Sequence, residues 1–130
     1  MKNFTKLFLI CFLLTPFKSY AVLDIKITEG VEEPIPIAVA MFGWSQSSNV
    51  APIDMSEIIT NNLARSGRFN VMDAEDLPQN PSEFDAINFG DWRKLGMENI
   101  VIGNLTLTDS GAYDVSFRLV DIYRKKQIAG

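Results

Sequence analysis

Two stretches of the chain read as buried strands. Ile37 to Phe42 is an unbroken apolar run, the pattern of a central strand covered on both faces, and Asn99 to Leu107 is predicted as a second buried strand. Between them the period changes. Met55, Ile58, Ile59 and Leu63 recur at helical spacing and form one apolar stripe, which predicts a helix over Met55–Arg65. Asp54 stands as its N-cap with Glu57 three residues on, and Ile53 and Ile58 occupy the positions of a hydrophobic staple. Arg65 falls in the last turn, and Gly67 offers a left-handed residue past the end. A shorter helix is predicted after Asn88 as cap, with Asp91 at its third position. Phe89, Trp92 and Leu95 share its apolar face, and Gly96 ends it.

The remaining segments are extended or turn-like. Phe69 to Met72 is predicted as a short strand. Tyr113, Val115, Phe117 and Leu119 alternate with Asp114, Ser116 and Arg118, giving a strand that returns antiparallel to Asn99–Leu107 through Asp109-Ser110-Gly111, where glycine takes a positive φ. Gly43 to Ala51, with Trp44 at its start, and Leu77 to Pro81 are predicted loops. Tyr123 to Lys126 is a basic turn, and Gln127 to Gly130 opens a further extended piece. Near the start, Val22, Leu23, Ile25 and Ile27 are apolar while Asp24, Lys26 and Thr28 are polar, a period of two that predicts a strand for at least Ile25 to Thr28. Glu29 to Pro36 follows as a turn or extended linker, since Pro34 and Pro36 remove two backbone donors. The order is β-β-α-β-α-β-β. It predicts an α/β fold of the α+β type: a mixed four- to six-stranded sheet with two helices packed on it, both on one face.

The first 21 residues have a different character. Lys2 and Lys6 precede the apolar run Leu7–Leu14, and Ser19-Tyr20-Ala21 is a small-x-small cleavage site. The run is shorter than the roughly 20 apolar residues a membrane-spanning helix needs. Residues 1–21 are therefore expected to be a secretory signal peptide, 22–33 a flexible N-terminal segment and 34–130 the folded domain. Because the chain stops just after a turn, it is expected to continue past Gly130.

Charge and composition then narrow the chemistry. Lys2, Lys6 and Lys18 lie in the leader, which leaves nine basic residues against 16 acidic ones in the mature part. That balance disfavours binding to nucleic acid or to anionic lipid. There is no histidine, and Cys11, the one cysteine, lies in the core of the leader. Ser-His-Asp and Cys-His catalysis, most transition-metal sites and disulfides are thereby excluded from the mature part, and no cofactor or metal is expected. Two carboxylate clusters, Glu29, Glu32 and Glu33 and then Asp73, Glu75 and Asp76, sit in turn-like sequence and read as solvated loops rather than as an acid–base pair or a calcium loop. Arg124-Lys125-Lys126 reads as a solvated turn. Trp92 reads as core, whereas Trp44 could be core or an interface anchor. Asn104-Leu105-Thr106 matches a glycosylation acceptor but falls in a predicted strand.

Several segments, in this order, resemble a known family. They are Ile25-Lys26-Ile27-Thr28-Glu29-Gly30-Val31, Pro36-Ile37-Ala38-Val39 with Phe42 and Trp44, and Asn62-Leu63-Ala64-Arg65-Ser66-Gly67-Arg68-Phe69. Asp76-Leu77-Pro78, Trp92-Arg93-Lys94-Leu95-Gly96 with Val101-Ile102-Gly103, and Tyr113 to Asp121 continue the series. Together they are similar to the N-terminal domain of TolB, the periplasmic component of the Tol-Pal envelope system. The resemblance implies a non-enzymatic periplasmic interaction domain that supports outer-membrane integrity and cell constriction. It implies that a six-bladed propeller, absent here, follows the domain and binds the lipoprotein Pal. It also implies that the mature N-terminus contacts the periplasmic domain of TolA, a role that maps to Val22, Leu23, Asp24, Ile25, Lys26, Ile27, Thr28, Glu29, Gly30, Val31, Glu32 and Glu33. An alternating apolar segment of this kind can add a strand to a partner's sheet; the competing reading of Val22–Thr28 is an ordinary edge strand of this domain's own sheet. The alternative is a periplasmic activator of peptidoglycan synthases, a lipoprotein class with a similar small α/β domain, against which the missing lipid-attachment cysteine argues. A carbohydrate-active enzyme is the third class, kept only for the two carboxylate clusters.

Overall fold

A computed structural model describes residues 33–46 and 51–130. Strand β1 (Ile35–Val39) runs between two parallel neighbours, β3 (Phe69–Val71) and β4 (Asn99–Leu107). Helix α1 (Met55–Arg65) lies between β1 and β3 in the chain, and helix α2 (Phe89–Lys94) lies between β3 and β4. Strand β5 (Tyr113–Asp121) pairs antiparallel with β4 over nine residue pairs, from Asn99 opposite Asp121 to Leu107 opposite Tyr113. Strand β6 (Lys126–Ala129) closes the order β3-β1-β4-β5-β6, antiparallel to β5 and with a register shift between Leu119 and Val120. The expected mixed sheet with two helices is therefore present, and the class is α+β.

The helices lie on opposite faces, which corrects the expectation that they share one. Ala38 and Ala40 join a core cluster with Trp92 of α2, Ile100, Ile102, Val120 and Ile122. Ile37, Val39 and Val101, which alternate with them along the strands, join a second cluster against Met55, Ile59 and Leu63 of α1. The reason is topological. The β1–α1–β3 crossover steps one way across the sheet, and the β3–α2–β4 crossover steps back the other way past β1. Parallel crossovers are right-handed almost without exception, so steps in opposite directions put their helices on opposite faces.

Beyond Val39 the first strand slips. The Ala40 N–H still donates to the Val101 carbonyl at 2.9 Å, and pairing then resumes at a two-residue strand, β2 (Gly43–Trp44), opposite Asn104 and Leu105. Four steps along the chain from Val39 to Gly43 match three along β4, from Val101 to Asn104, so one residue is extra. The predicted loop at Gly43 thus begins with a strand.

Helix α1 keeps its predicted limits. The Asp54 carboxylate accepts from the Glu57 N–H at 3.0 Å, and Gly67 takes φ 68° past the end. Its apolar row is Met55, Ile59 and Leu63, all half-buried. Ile58 is 45% exposed, because it lies about 100° around the helix from Ile59. In α2, Trp92 is fully buried, but Leu95 is 46% exposed. Leu95 is the C-cap, and the turn at Gly96 (φ 73°) carries the chain round so that Met97 reaches the core in its place. Arg93 ties α2 to the far end of β5: one guanidinium nitrogen donates to the carbonyls of Ile122 and Tyr123, both at 3.1 Å.

Candidate functional site

Of the segment Val22–Glu33, only Glu33 is among the described residues. The leader, the strand expected at Ile25–Thr28 and the other eleven candidate contacts lie outside them. Glu33 and Pro34 are exposed, and the sheet ladder starts one residue later, where the Ile35 N–H donates to the Arg68 carbonyl at 3.0 Å. Pro34 has no N–H to give, so the donor here comes from the next residue, Ile35.

The other candidate residues do not converge. Asp73, Glu75 and Asp76 are all exposed around the short turn Ala74–Asp76, and the described residues contain no group of three or more His, Cys, Asp or Glu side chains able to hold a metal ion. Asp54 has its carboxyl held below the usual range, first by the Ser56 hydroxyl and then by the Glu57 N–H. That is the chemistry of a helix cap, since it favours the charged acceptor at the positive end of α1. Glu83 accepts from Asn104 Nδ2 at 2.7 Å and from Arg118 Nη1 at 3.4 Å beside a cavity of about 60 Å³. Asn104 thus lies in a strand, as expected, with its amide engaged by a neighbouring loop. Trp44 meets Tyr113 with ring centroids 6.3 Å apart. The Arg124 backbone N–H donates to Asp121 at 2.7 Å while its side chain stays in solvent, as expected of a turn.

The feature that pattern reading misses is an uncovered apolar surface. Helix α1 packs beside β1 and β3 but leaves the same face of β5 and β6 open. Phe117 is 51% exposed and Val115 38%. Between α1 and these strands runs a groove of about 480 Å³, floored by Val101, Phe117 and Leu119 and walled by Met55, Ile59 and Leu63. None of its lining residues is titratable, so it can take apolar groups and offers no acid, base or charge. The alternation in Tyr113–Leu119 signals an apolar face; the single helix available on that side is the signal that this face is only partly covered.

These observations define a small mixed-sheet α+β domain with a helix on each face and an open apolar surface. A family model described as the TolB amino-terminal domain matches residues 23–128, and the chain belongs to that family. It is 38% identical over 130 residues to the Tol-Pal system protein TolB of Thioalkalivibrio sulfidiphilus, covering all of this chain and 30% of that protein. It is 39% identical over 122 residues to the protein of the same name from Nitrosococcus oceani, covering 94% of this chain and 28% of that one. The chain spans about three tenths of the length of these relatives. Among solved structures, TolB from Acinetobacter baumannii superimposes with a TM-score of 0.58 at 23% identity, over 74% of this chain and 22% of that one. The LpoB C-terminal domain from Salmonella enterica superimposes with a TM-score of 0.60 at 14% identity, over 77% and 81%. At these identities the two likenesses speak for the fold alone. No helix among the described residues is long and apolar enough to cross a membrane.

Proposed function

We propose that this chain is a periplasmic, non-enzymatic interaction domain of a Tol-Pal system, which contacts the periplasmic domain of TolA through Val22–Glu33. Pal is engaged by a propeller beyond this domain, and the assembly supports outer-membrane integrity and cell constriction. The observation that carries the reading is family membership from residue 23 onward, a span that takes in nearly all of the alternating segment. The shared name of the relatives supports the system to which it is assigned. A segment with Leu23, Ile25 and Ile27 on one side can pair backbone to backbone with a partner's strand and place those side chains in its pockets. Calorimetric titration of the exported chain with the TolA periplasmic domain tests this. Ile25→Asp should weaken binding at least tenfold, while Lys26→Ala, on the opposite side of the strand, should change it little. Equal affinity for parent and Ile25→Asp rejects the assignment. The alternative, activation of peptidoglycan synthases, has only likeness of fold behind it, and a fold does not define a function.

A further inference from the structure

We draw no further inference here: the strongest candidate, the apolar groove between α1 and the uncovered face of β5 and β6 at Val115, Phe117 and Leu119, carries nothing because nothing in the structure shows what covers it.

Discussion

The ring of Phe42 occupies the space above Gly103 that the β-carbon of any other residue would fill. Such an atom would lie 2.7 Å from Phe42 Cζ and closer still to the Ser116 carbonyl oxygen. The ring can reach this position because the chain slips by one residue between β1 and β2, so Phe42 turns onto the α1 side of the sheet with Ile37, Val39 and Val101. Gly103→Ala is therefore expected to cost about 1–3 kcal/mol through overpacking. Urea unfolding of the Gly103→Ala, Phe42→Ala and double variants checks it. The double variant should lose less than the sum of the singles, since one of the two clashes has gone while the Ser116 carbonyl remains.

The phasing of the helices gives paired tests. Met97→Ala should cost about 2–5 kcal/mol, because Met97 is buried in the core beside Trp92, and Leu95→Ala should stay within about 0.5 kcal/mol. In α1, Ile59→Ala should destabilise more than Ile58→Ala for the same reason. Thermal or urea midpoints that ranked either pair the other way would overturn the assigned faces.

Arg93 is expected to behave as a clasp. Arg93→Ala removes the donor shared by the Ile122 and Tyr123 carbonyls and should cost about 1–3 kcal/mol. Arg93→Lys should recover only part of that loss, since an ammonium does not stack on the Tyr123 ring as the planar guanidinium does. Hydrogen exchange at the β5–β6 turn should quicken in both variants.

Asp54 links stability to pH. Its carboxyl is held below its ordinary value of 3.8 in the folded chain, so the charged form is favoured by folding. The resulting stability is complete above that unfolded value and fades as the pH falls through the lower folded one. Asp54→Ala should cost about 1 kcal/mol at neutral pH, with the gap from the parent closing below about pH 4. Asp54→Asn should keep most of the cap and lose that pH dependence. Unfolding curves at pH 7 and pH 3 distinguish these outcomes.

Local signals were the most legible part of this chain. Asp54, Asn88, Gly67, Gly96 and Gly111 mark caps and turns because their side chains, or the lack of one, decide the backbone within a few residues. The face of each helix was harder to read. The continuous run Ile37–Phe42 already required cover on both sides, and that requirement conflicts with placing both helices on one face; crossover direction, not periodicity, resolves it. Ile58 and Leu95 sat on apolar stripes and still ended in solvent, since a stripe tells which side is greasy but not how wide the opposing sheet is. Strand β2 is two residues long and owes its pairing to Asn104 and Leu105, 61 positions away, so nothing local announces it. The expected contact segment carries its signal only as alternation from Leu23 to Thr28.

On the proposed function, Val22–Glu33 forms the contact with TolA while residues 34–130 fold without it. The most direct measurement compares the chain starting at Val22 with one starting at Pro34 in titrations against the TolA periplasmic domain, with far-ultraviolet circular dichroism of both. The spectra should match and the shorter chain should lose measurable binding; undiminished affinity in a folded shorter chain would show that Val22–Glu33 is not the contact.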